Sequence, residues 1–224
     1  MEDARDLLVV GLDVWGVPLV VMNNHWKSGA SNPKVEPVRV QNAHVVRAEL
    51  EAILLDNPRA DVLIAGDLNS HYNQLRAVPG LRETGVNSVL KSSGNEAGMV
   101  RADGPDLYNL WFELPFAARG SETYRGSWGT LMQMLITPGL YDNRGVQYVD
   151  NSFMCFSLPG LNVDPVWQRP ISWSNYGGGG GYSDHLPIGA AFRVIPGEED
   201  GFMELKSPSR EKGMPEGLPK VDYG

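Results

Sequence analysis

The stretch Val62-Leu63-Ile64-Ala65-Gly66-Asp67-Leu68-Asn69 constrains this chain more than any other. Four apolar residues in a row read as a strand covered on both faces, the kind found inside a sheet flanked by helices. Gly66 allows a tight turn after it. Asp67 and Asn69 stand two positions apart, so strand alternation predicts that they project the same way, beyond the strand end. That pair suits an ester hydrolase, with Asp aligning or deprotonating an attacking water and Asn offering a fixed dipole to developing charge. Taken alone, the tetrapeptide reads more readily as an ordinary Gly-Asp turn.

Two further clusters shift the balance. Asn24-His25-Trp26-Lys27-Ser28-Gly29 follows the strand-like run Leu19-Val20-Val21-Met22, and Ser183-Asp184-His185-Leu186-Pro187 precedes the apolar run Ile188 to Ile195. Each sets a histidine and a polar partner where a strand meets a loop, the usual station of site residues in open sheets. His25 and His185 could each be a hydrogen-bonded structural histidine; with the three clusters together, a site role is the better reading of both. His44, within a helix-like segment, and His71, in a loop, read as surface or packing residues.

The order Asn-His-x-Lys-Ser, Gly-Asp-x-Asn, Ser-Asp-His-x-Pro resembles the endonuclease/exonuclease/phosphatase superfamily, the DNase-I-like phosphoesterases. Tyr124-Arg125-Gly126-Ser127-Trp128-Gly129-Thr130-Leu131 also looks like that family's approach to a late core strand. The resemblance runs over about residues 7–195. It implies an α/β fold, a DNase-I-like four-layer sandwich of two mixed sheets flanked by helices, and hydrolysis of a phosphoester, nucleic acid or small phosphodiester, with Mg2+ or Mn2+. By resemblance, Asp67 handles the attacking water and Asn69 holds it or a phosphoryl oxygen. His25 and His185 contact phosphate, Asp184 serves the metal, and Lys27 and Asn24 lie on the substrate side.

The sequence departs from the family pattern in ways that carry expectations of their own. The family's domain opens with a strand ending in Asn and another ending in Glu, a metal ligand; nothing before Leu7 matches them. The N-terminal third is therefore expected to be missing, with a preceding segment or a partner chain completing the sheet. Where the family carries Leu-Asp, this chain has Leu131-Met132, and a thioether cannot orient a histidine as a carboxylate does. Asp142 and Asp150 are the nearest replacements in sequence. These gaps keep a second reading open, a non-catalytic phosphate-binding or scaffold protein on the same fold. A zinc hydrolase is disfavoured because no short-spaced His pair is present.

Composition fits a single folded domain: of 224 residues, 42% are hydrophobic and 21% charged. No apolar run approaches the roughly 18 residues that span a bilayer. Cys155 is the only cysteine, so no internal disulfide forms. The net charge of −8 is unfavourable for gripping many duplex phosphates at once, though a local site can still hold one phosphodiester. Residues 196–224, with nine Gly or Pro, read as a disordered tail, leaving 1–195 as the domain. Gly177 to Gly181 reads as a mobile approach to the Ser183 cluster.

Periodicity predicts strands at Leu7 to Val14, Pro18 to Asn23, Asp61 to Ala65, Leu131 to Ile136, Gly145 to Ser157 and Leu186 to Ile195. It predicts a long loop over 28–37 and a helix from Val38 to Asp56 that buries the apolar stripe Val38, Val45, Val46, Leu50, Ile53 and Leu54 and ends at Asn57-Pro58. Loop with short helical pieces follows over 70–105, then a short helix from Asp106 to Leu114.

Overall fold

The computed structural model describes residues 5–101, 106–173 and 180–195. The expected tail, and Gly177 to Gly179 of the glycine run, lie outside the described residues.

Strands β1 (Leu8–Val14) and β2 (Val17–His25) form an antiparallel hairpin. Its turn is Trp15-Gly16, both with positive φ, as a two-residue connection between right-twisted strands requires. Helix α1 (Glu36–Asp56) then crosses to β3 (Val62–Asp67), which pairs parallel to β2. The short helices α2 (Gln74–Ala77) and α3 (Glu96–Arg101), a π-helical turn at Gly85–Val89 and strand β4 (Ser92–Ser93) fill the next stretch. Strands β5 (Leu107–Asn109), β6 (Glu122–Tyr124), β7 (Ser127–Gly129) and β8 (Met132–Ile136) follow. The last are β9 (Gly145–Tyr148), β10 (Met154–Cys155), β11 (Ile188–Gly189) and β12 (Phe192–Ile195).

The main sheet has six strands in the order β1-β2-β3-β8-β5-β4, with parallel and antiparallel pairs mixed. Alternation along β3 divides the core. Val62 and Ile64 join Met22, Ala43, Val46, Leu50 and Leu135 in the layer under α1. Leu63 joins Tyr108, Trp111, Ile136, Val146 and Tyr148 on the opposite face, where the antiparallel ladder β9·β12 packs. The central strands are thus buried on both sides, which is why they read as continuous apolar runs. β1 forms the open edge, with Leu8, Val9 and Leu12 exposed.

Four elements differ from the sequence expectation. Asp106 to Leu114 is not a helix: Tyr108 and Asn109 pair with Ile136 and Leu135 of β8, and Asn109 then caps a 3-10 turn by accepting from Trp111 N at 3.1 Å. A ladder with a buried strand outweighs the weak local helical preference of so short a segment. The expected strand Gly145 to Ser157 is cut in two, with Asn151 in the left-handed region between β9 and β10. Leu186 to Ile195 is likewise split, β11 pairing with β10 and β12 with β9. In α1, Val45 is exposed while Glu36, Arg39 and Asn42 are buried, so the first turns of the helix turn a polar face inward.

At the end of β3 away from Asp67, Asp61 accepts from Val146 N at 2.6 Å. Burial pushes its carboxyl up to about 6 against the opposing Val146 bond, and the Asp142 charge adds to the rise. The folded value exceeds the unfolded one, so Asp61's contribution to stability is full below about 3.8 and is lost as pH rises through about 6. Asp61→Asn keeps an acceptor for Val146 and removes the charge. It is expected to stabilise the fold by on the order of 1 kcal/mol at pH 8, allowing for partial exposure, and to do little at pH 4.5. Urea unfolding at the two pH values checks this; an equal shift at both would refute the assignment.

Candidate active site

Strands β2 and β3 end together, with Asn23 opposite Ala65 and His25 opposite Asp67. Gly66 makes that register possible. Its φ of +124° and its closeness to the Asn24 carbonyl leave no room for a side chain. The strand end is tied down on both sides, by Trp26 N donating to Asp67 O at 2.9 Å and Leu68 N donating to Leu131 O at 3.0 Å.

Asp67 sits between two histidines. His25 Nε2 lies 3.7 Å from its Oδ2, and His185 Nδ1 lies 3.9 Å from the same oxygen. The carboxylate is recessed, with its side chain 14% exposed against 63% for His25 and 24% for His185. Its other oxygen, Oδ1, accepts from Asn69 N at 2.9 Å. The result is a polar cleft in which one fixed carboxylate oxygen faces two imidazoles across gaps wider than a direct hydrogen bond.

Asn69 reaches this arrangement by a different route from strand alternation. The strand stops at Asp67, and Asn69 lies in the left-handed region at φ +46°. Its side-chain Nδ2 donates to Trp26 O at 3.0 Å, and the residue is buried. Asn69 therefore buttresses the Asp67 turn and the loop after His25. Asn24, expected on the substrate side, also points inward. Its Oδ1 accepts from Trp26 Nε1 at 3.1 Å and its Nδ2 donates to Met22 O at 3.2 Å. Alternation along β2 puts Asn23, not Asn24, on the exposed face with His25. Strict period-two counting back from His25 would have found it.

The carbonyl of Lys27 is held by Arg39 Nη1 at 3.2 Å, and Lys27 itself is half-buried. Asp184 is exposed, next to His185 in the chain. His44 is exposed on α1. His71 packs in its loop: its Nδ1 accepts from Thr130 N at 3.4 Å, and burial followed by the Arg39 charge holds its value down. Asp142 and Asp150 do not replace the carboxylate missing at Met132. Asp142 lies beside Asp61 and pairs with Arg59 at 3.4 Å, while Asp150 accepts from Tyr141 Oη at 2.9 Å. Met132 itself stands in register opposite Asp67.

The sequence reading overlooked Glu122. Thr123 separates it from Tyr124, and Arg125-Gly126 form the positive-φ turn between β6 and β7. The segment is thus a hairpin and not a plain lead-in to β8. Glu122 forms an isolated antiparallel bridge with His185 and so brings a buried carboxyl to the cleft.

A family model described as the Endonuclease/Exonuclease/phosphatase family matches residues 2–193. The chain belongs to this family. The α/β sandwich described above is accordingly its DNase-I-like fold. No curated protein matches the sequence. Among solved structures, humanized D. rerio TDP2 with 14 mutations is similar at 17% identity and TM-score 0.48, over 84% of this chain and 60% of that one. Truncated Caenorhabditis elegans TDP2 gives 15% identity and TM-score 0.47, over 85% of this chain and 66% of that one. A mannosyl-6-phosphatase from Bacteroides thetaiotaomicron gives 11% identity and TM-score 0.45, over 80% and 53%. The chain spans about three-fifths of the length of the first of these structures.

Enzymes of this family generally depend on a divalent metal. Mg2+ and Mn2+ take about six oxygen donors, several of them carboxylates or water. Among the described residues no group of three or more His, Cys, Asp or Glu side chains is placed to hold a metal ion. Asp67 has one oxygen committed to Asn69 N. The described residues therefore do not fit a complete metal shell by themselves.

Proposed function

We propose that the cleft hydrolyses phosphoesters, with a nuclease-like phosphodiester as the substrate class. The observation that carries this is the placement of His25 and His185 at 3.7 and 3.9 Å from a single oxygen of Asp67. A phosphoryl group entering there meets two imidazole donors on its oxygens and a carboxylate that aligns water for in-line attack. Asp67 accepts the water's proton as the water oxygen bonds to phosphorus; the phosphorus–oxygen bond to the leaving alcohol breaks, and that oxygen takes up a proton from solvent. Asn69 keeps Asp67 from rotating, because its backbone N–H occupies Oδ1 and its amide grips Trp26 O. Asn23, exposed beside His25, extends the polar wall. The acidic net charge of −8 favours a short or small phosphodiester over a long duplex.

The family's ion, Mg2+ or Mn2+ with Asp184 as a ligand, belongs to this reading as a charge-stabilising partner whose remaining donors the described residues do not supply. The exposed edge of β1 is where a further strand, from a preceding segment or a partner chain, would extend the sheet.

Asp67→Ala and His185→Ala are each expected to lower the rate on bis(4-nitrophenyl) phosphate by at least about tenfold, with unfolding midpoints close to the parent. Turnover near the parent rate in either variant would count against the assignment. The scaffold reading rests on one specific observation, that Met132 faces Asp67 and brings no carboxylate. Absence of turnover at saturating Mg2+ and Mn2+ would favour it.

A further inference from the structure

Among the described residues, Glu122 is the buried carboxyl at the cleft that the proposed hydrolysis leaves unused. It is 6% exposed, and acidic side chains are seldom buried this far without a task. The antiparallel bridge sets it directly opposite His185, and Leu186 N donates to Ser121 O at 2.6 Å to close that pairing. Residues facing each other across such a bridge carry their side chains on the same face, with Cβ atoms about 5 Å apart. On its other side Glu122 faces Gly129, where a Cβ would collide with Glu122 Oε1. The glycine is what gives the carboxyl its room. Oε2 accepts from Leu131 N at 3.1 Å and from Ser121 Oγ at 2.5 Å, so the group is fixed before any substrate arrives.

We propose that Glu122 is a positioning residue for His185, the carboxyl group that keeps this imidazole facing Asp67. The inference rests on the phosphoester-hydrolase reading of the cleft. The physical need is plain. Among the described residues the ring meets one carboxylate, at 3.9 Å, too far to fix its side-chain torsions, and an unoriented imidazole is a poor donor to phosphate. β8 cannot supply a second partner, because Met132 occupies the position opposite Asp67. The Glu122 carboxyl feels the His185 charge. Burial, the largest influence, leaves the carboxyl above its usual value, against the bonds from Ser121 and Leu131 and the His185 charge that pull it down, with Asp67 adding to the rise.

Glu122→Gln keeps the size of the side chain and an oxygen for Leu131 N, but removes the acid. In nitrogen-15 spectra of the whole chain, the His185 ring resonances are expected to move while those of His25 stay. On bis(4-nitrophenyl) phosphate, kcat is expected to fall about tenfold with KM unchanged, and the substitution should cost nothing further on a His185→Ala background. Unmoved His185 resonances would overturn the proposal, and so would a loss that adds in full to that of His185→Ala. If the parent chain turns over no substrate, the hydrolase reading fails on its own, and the ring resonances still decide whether Glu122 positions His185.

Discussion

Gly66→Ala is expected to abolish hydrolysis and to cost roughly 3 kcal/mol or more of stability, a large share of the 5–15 kcal/mol that holds a typical domain. Two independent penalties combine. At φ +124° the backbone is in a region that L side chains rarely adopt. A Cβ there would also fall on the Asn24 carbonyl oxygen and stand 3.0 Å from Asn23 Oδ1. The obstacle is main chain, not a side chain that can swing away. Asn24 is opposite Gly66 in the parallel ladder, so relief requires parting β2 from β3 where His25 meets Asp67. The fold and the site thus fail together. Urea unfolding followed by tryptophan fluorescence, with hydrolysis measured alongside, checks the result. A variant within 1 kcal/mol of the parent and retaining turnover would mean that this backbone is far more compliant than its contacts suggest.

The same residue explains which parts of the molecule could be read from sequence. Gly66 follows a run that packs on both faces, and such a run announces a central strand without help from any partner. β2 and β3 were legible for that reason; β1 showed as an apolar run ending at the Trp15-Gly16 turn, and α1 by its helical periodicity and the Asn57-Pro58 stop. The short strand Leu107–Asn109 was not: it is a strand because β8 lies beside it, and nothing in its own periodicity says so. Met154–Cys155 and Ile188–Gly189 fall inside expected strands, and what could not be read was the break that pairs them with each other. In α1 the apolar pattern suggested Val45 as core, whereas the buried face begins with Glu36 and Arg39, charges that are tolerable inside only as a pair. In the cleft, the clusters at His25, Asp67 and His185 could be seen because each adjoins a strand end. Asn23 was hidden by a choice of strand face, and Glu122 by the fact that its space comes from a glycine seven residues away. Burial of that kind is a property of the hairpin, not of the segment.

The charged pair under α1 supplies the second large effect. Arg39 and Glu36 have side chains only 0% and 2% exposed and meet at 2.6 Å through Nη2 and Oε2, with Nε donating to the same oxygen at 2.9 Å. Around them the pair gathers loops that carry the site. Arg39 Nη1 and Nη2 donate to Lys27 O and Ala30 O at 3.2 and 3.4 Å, just past His25. Glu36 accepts from Gln74 Nε2 at 3.1 Å and from Gly85 N at 3.0 Å. Arg39→Ala strands a buried carboxylate and takes the donor from Lys27 O, while Ala30 O keeps Gln74 Nε2 at 2.8 Å, so a loss of about 3–5 kcal/mol is expected, with Glu36→Ala costing a comparable amount. Because each single change pays mainly for the charge it leaves unpartnered, Glu36→Met with Arg39→Met should cost well below the sum of the single losses. Hydrolysis should still fall in the double variant, since Lys27 O loses its Arg39 donor and Ala30 O is left with Gln74 Nε2. Denaturant unfolding of the two singles and the double closes the cycle. Full additivity would show that the two side chains act separately and that the loop after His25 is held by something else.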